Sequence, residues 1–132
     1  MWIMSQNGFL SAVEDWDDPS VFRVRARDRK SLESMLRLLK ENGENIDGLK
    51  IVTGAGTDYR WRVLLPRDLF TTYLVAEAQG IDYGNFKDQV TVTRGHKWHD
   101  AFLDVWYAML AVDDGKKIKG RSWDLAGRAV KR

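Results

Sequence analysis

From Val21 to Arg27 the chain reads Val-Phe-Arg-Val-Arg-Ala-Arg, and this alternation constrains the fold more than any other feature. Successive side chains of a strand point to opposite faces, so Phe22, Val24 and Ala26 share one face and Arg23, Arg25 and Arg27 the other. Such a strand needs one covered face and tolerates water on the other. Strands of antiparallel sheets with helices on one side read this way, whereas strands covered on both sides run apolar throughout.

The period then changes. Leu32, Met35, Leu36 and Leu39 fall at i, i+3, i+4 and i+7, a helical stripe that Asp28 or Ser31 can open and Gly43 can end. Upstream, Asn7-Gly8 lies between Trp2-Ile3-Met4 and Phe9–Val13, which predicts a hairpin with a type I′ turn. A second turn spans Asp15 to Ser20. Downstream, residues 43–58 read as a loop with a short strand at Leu49–Val52. Tyr59 to Leu65 alternate as a further strand with Tyr59, Trp61 and Val63 inward. Pro66 stops that strand, Asp68 can cap a helix to about Gln79, and Gly80 ends it. Ile81 to Thr93 is less regular, with Phe86 and Val90 placed for a short helix. Trp98, Phe102, Val105, Trp106, Met109 and Leu110 share one face of a helix from about Lys97 to Val112 and read as core.

These segments predict an α+β fold in the order β-β-β-α-β-α-α. Three or four mostly antiparallel strands would carry about three helices on one face, with the other face toward solvent. Asp113-Asp114-Gly115 marks a boundary between a globular domain over residues 1–114 and a basic tail over 115–132. The tail holds seven Lys or Arg and one acid, Asp124, against fourteen bases and eighteen acids before it. A basic arm on an acidic body suits an anionic partner, or is a solvated terminus.

Several classes of function find no support. The chain has no cysteine, so disulfides, thiolate metal sites and thiol nucleophiles are excluded. No apolar run approaches the roughly 20 residues needed to span a bilayer, so no membrane partner is expected. The opening Met1–Ser5 lacks the basic and long apolar regions of a signal peptide, which predicts a cytoplasmic protein. Gly54-Ala55-Gly56 lacks the following Lys-Ser/Thr of a phosphate loop and reads as a turn. No serine sits in a nucleophile elbow. Glu14, Asp15, Asp17 and Asp18 read as a solvated turn cluster. His96 and His99, with Asp100, have neither the i, i+4 spacing nor the glutamate of zinc proteases, so a surface role is expected and no metal or cofactor is implied.

The chemistry that does stand out is guanidinium. Arg23, Arg25 and Arg27 line the polar side of one strand and Arg60 and Arg62 that of another; in one sheet they would share a surface. Planar guanidinium forks suit carboxylates and phosphates because they donate two parallel hydrogen bonds. A solvated face of exposed ion pairs is the plainer alternative.

The segments Met1–Met4 with Gly8-Phe9, Val24–Arg27, Asp58–Val63 and Ile81-Asp82-Tyr83-Gly84-Asn85-Phe86-Lys87 resemble a family of small uncharacterised proteins of bacteria, notably actinobacteria, and of actinobacteriophages. The resemblance covers about residues 1–110 and implies a source and a compartment, not a mechanism. Within its most distinctive segment, Ile81 and Phe86 can dock in the core. Asp82, Tyr83, Asn85 and Lys87 would then stay near the surface as binding candidates, or Asp82 or Asn85 would cap the next helix.

The expectation is a non-enzymatic module docking on a macromolecule, protein in preference to nucleic acid, through Arg23, Arg25, Arg27, Arg60 and Arg62. Capture of nucleic acid or nucleotide phosphates is the first alternative. Metal-dependent phosphate cleavage by His96, His99 and Asp100 is the second.

Overall fold

A computed structural model describes residues 1–54, 58–115, 121–123 and 129–131, the last two segments as backbone alone. Strands β1 (Trp2–Ser5), β2 (Gly8–Glu14) and β3 (Val21–Ala26) form a meander. Helix α1 (Arg29–Glu41) follows, then a two-residue strand β4 (Val52–Thr53) and strand β5 (Trp61–Pro66). The sheet order is β1-β2-β3-β5-β4, antiparallel throughout. Helices α2 (Arg67–Gln79), α3 (Phe86–Arg94) and α4 (His96–Met109) complete the body, with a 3-10 turn at Leu110–Val112. The class is the expected α+β. The sheet has five strands where three or four were expected; the short strand read at Leu49–Val52 forms instead at Val52–Thr53, as β4.

The first hairpin forms, but not with the expected turn. Ser5 pairs with Gly8, so the turn residues are Gln6 and Asn7. No residue other than glycine has positive φ among the described residues, and Gly8 alone supplies it here at 132°. A type I′ turn, which needs positive φ at both central residues, is therefore not adopted. The turn is held by tertiary contacts instead. The Gln6 carbonyl accepts from the Thr93 hydroxyl at 2.6 Å, and the Asn7 carbonyl accepts from Arg94 at 2.8 Å. A methyl group at Gly8 would stand 2.1 Å from the Ser31 hydroxyl oxygen, so glycine is required by space as well.

Helices α1 and α2 cover one face of the sheet. Leu10, Val24, Ala26, Val63 and Leu65 from the strands meet Leu32, Met35, Leu39, Phe70 and Tyr73 from the helices. Burying each large side chain contributes about 1.5–3 kcal/mol. Helix α1 ends in a Schellman motif: Gly43, at φ 81°, donates to Lys40, and Glu44 donates to Leu39. Its N-cap is Asp28, whose carboxylate makes no cap bond. It accepts from the Ser31 hydroxyl and pairs with Arg94.

The helical hairpin α3–α4 departs from the single-layer expectation. The two helices join at Gly95, φ 89°, and supply none of the central core cluster. In α4 only Phe102 is buried; Trp106 is 49% and Met109 59% exposed. The expected core stripe is thus only partly covered: Trp98, Val105 and Leu110 are half-buried, because α1 and α2 already fill the inner face. Helix α4 instead faces the outer side of the sheet across a cleft. Ile81 is likewise exposed rather than docked, and Phe86 packs on Phe102 at 5.6 Å.

The basic tail over 115–132 lies for the most part outside the described residues, as do Ala55 and Gly56 of the glycine turn. Within the tail, Arg121–Trp123 (β6) and Ala129–Lys131 (β7) pair antiparallel. Among the described residues, no helix is long and apolar enough to cross a membrane.

Candidate docking face on the sheet

The register of β2, β3 and β5 brings the arginines onto one surface. Arg25 lies directly between Ser11 of β2 and Arg62 of β5, and Val52 lies beyond Arg62. One row along, Arg23 lies between Val13 and Leu64. Two guanidinium groups side by side repel each other unless something fixes and screens them.

Aromatic stacking supplies part of that. The Arg23 guanidinium lies 3.8 Å from the centroid of Trp16, and its Nε lies 3.6 Å from the Asp15 carboxylate. Arg25 stacks over Tyr59 at 4.6 Å and donates to the Ser11 hydroxyl at 2.9 Å. Arg27 approaches the same ring at 5.0 Å and donates to the Asp58 carbonyl at 2.9 Å. Cation–π contact holds a guanidinium without consuming a carboxylate. The Nε of Arg25 is buried with no acceptor among the described residues. The Arg62 guanidinium lies against Gly54: a methyl there would fall 2.1 Å from it, so a larger residue would push the guanidinium aside.

Arg60 stands apart from this group. Its guanidinium lies 5.6 Å from Trp61, a ring that packs against the core side and also carries Arg29 at 5.5 Å. Of the five expected arginines, then, Arg23, Arg25, Arg27 and Arg62 gather on the outer face. Among the described residues, Asp15 is the one carboxylate that pairs with Arg23, Arg25 or Arg27.

The arginines are not the outermost groups. The Arg23 side chain is only 13% exposed because Trp16 covers it, and Trp16 itself is 86% exposed. Leu64 is 54% exposed and Val52 is exposed on the same face. The turn that presents Trp16 is well braced. Asp15 accepts from the amides of Asp17 and Asp18 at 3.1 and 3.2 Å. Asp18 accepts from the hydroxyl and amide of Ser20, and these bonds hold its carboxyl below the ordinary value. Sequence reasoning missed Trp16; a tryptophan inside an acidic turn was the available signal.

The segment Asp82–Lys87 serves a different place. Asn85 caps α3, its side chain accepting from the Asp88 amide at 3.0 Å. Tyr83 lies against Phe86 at 6.3 Å, and burial, then Glu77 and Asp82, raise its phenol above the ordinary value. Lys87 lies 4.7 Å from Trp106. Asp82 is exposed beside this group. The partners of these residues lie on α2, α3 and α4, not on the arginine face. His99 contacts Asp100 at 3.1 Å, and among the described residues no three His, Asp or Glu side chains are grouped to hold a metal ion.

No family model, curated protein or solved structure matches the chain.

Proposed function

We propose that this chain is a non-enzymatic binding module, an accessory protein of a phage or bacterium, that docks on a protein partner through the outer face of its sheet. The observation that carries this reading is the interleaving of exposed Trp16, Leu64 and Val52 with stacked Arg23 and Arg25 and half-buried Arg62. Protein interfaces are enriched in tryptophan and arginine, and their energetic centres are aromatic or guanidinium anchors. Leu64 and Val52 offer a phosphate backbone nothing, whereas an apolar patch on a partner would cover them. Carboxylates on that partner would pair with Arg25 and Arg27.

A second reading keeps one specific support: Arg25 and Arg27 form no carboxylate pair among the described residues and could take phosphates. The two readings separate by salt. Nucleic-acid affinity falls steeply as counterions are released, whereas a contact built on Trp16 and Leu64 falls little. The test captures a partner from bacterial lysate on immobilised wild-type chain and on Trp16→Ala/Leu64→Glu. The partner should be retained in the presence of competing nucleic acid and lost from the variant. Equal recovery on both supports would sink the proposal, and capture abolished by nucleic acid would favour the second reading.

A further inference from the structure

A cleft of about 600 Å³ separates the β1–β2 end of the outer face from α4. That is within the roughly 300–1,000 Å³ of sites for small ligands. Trp2, Met4 and Phe9 of the sheet, with Tyr59 from the loop before β5, form one wall. On α4, Lys97, Ala101 and Val105 line the cleft at i, i+4 and i+8, a straight row of about 12 Å. A cation therefore stands at one end of the row, with small and aliphatic groups beyond it.

A second cation, Arg27, also borders the cleft. Lys97 makes no ion pair among the described residues, and Arg27 is bonded to a backbone carbonyl rather than to a carboxylate. Asp28 borders the cleft too, but its carboxylate is already taken by Arg94 and the Ser31 hydroxyl. The polar end is thus positive and the remainder aromatic and aliphatic. A neutral apolar ligand would leave two cations facing a dry body; a cationic amphiphile would be repelled.

We infer that this cleft binds an amphipathic monoanion, a medium-chain carboxylate, with its head at Arg27 and Lys97 and its chain running along α4 toward Val105. Charge-assisted bonds at the head would fix orientation, and the aromatic wall would cover the chain.

Calorimetric titration of the full chain with sodium dodecanoate, below its micelle concentration, tests this. One dodecanoate should bind per chain, with dodecyltrimethylammonium at least tenfold weaker. Lys97→Glu, at an exposed position, should weaken dodecanoate about tenfold. Ala101→Trp, also from an exposed position, should fill the cleft and remove binding, while circular dichroism confirms the fold. If Ala101→Trp fails to fold, Lys97→Glu still decides the matter. No heat with dodecanoate, equal affinity for both head groups, several molecules bound per chain, or dodecanoate affinity untouched by Lys97→Glu would each overturn the inference.

Discussion

Gly8 holds φ at 132° while the Ser31 hydroxyl and the Arg94 guanidinium pack against its Cα. An L-residue there meets both backbone strain and a collision. Gly8→Ala should cost about 3 kcal/mol, read from urea unfolding. The neighbouring pair acts through charge. The Arg94 side chain is 5% exposed, and Asp28 neutralises it. Removing one partner of such a pair strands the other, so Asp28→Ala should cost about 3 kcal/mol. An unfolding free energy within a few tenths of a kcal/mol of wild type would show that Arg94 relaxes to water. Tyr73 gives a pH signature. Burial, then Glu77, raises its phenol pKa. Above about pH 10 the unfolded chain releases this proton while the folded chain keeps it, so stability falls as pH rises. Below that pH Tyr73 adds no slope. Tyr73→Phe should flatten the decline between pH 10 and 11 in urea titrations.

At the scale of elements, α3 is the short piece that local chemistry sustains. Its Asn85 cap satisfies one orphan amide, and Asn85→Ala should cost about 1 kcal/mol by thermal or urea unfolding. An unchanged midpoint would mean that α3 is held by Val90 and Phe86 packing alone. The same elements show what was legible beforehand. The alternation of Val21–Arg27 and the stripe Leu32–Leu39 placed β3, α1 and their buried faces correctly, because burial and period act on the same residues. The clustering of Arg23, Arg25 and Arg62 was legible for the same reason, once β3 and β5 were neighbours. Arg60 was not, since it precedes β5 and turns to Trp61. Helix α4 was legible as a helix but not in its burial: an apolar stripe states that a face wants cover, not that the fold provides it. The turn at Gln6-Asn7 escaped because Thr93 and Arg94, almost ninety residues on, decide its geometry.

Across the whole molecule, the sheet divides two environments. The inner face under α1 and α2 carries the core, and the outer face carries the arginines with Trp16 and Leu64 exposed over them. This division sets the central claim, that the outer face is where a protein partner docks. Each interface anchor of this kind is worth about 2 kcal/mol or more, so Trp16→Ala should weaken the captured partner roughly thirtyfold. Asn85→Ala, remote from that face, should leave the affinity within twofold. The most direct measurement is amide chemical-shift mapping of the chain as the captured, purified partner is titrated in. The account predicts perturbed or broadened amides along β2, β3 and β5 and the turn bearing Trp16, with the inner helix α1 quiet. Perturbations confined to α3 and α4, with that turn and those three strands unchanged, would contradict it.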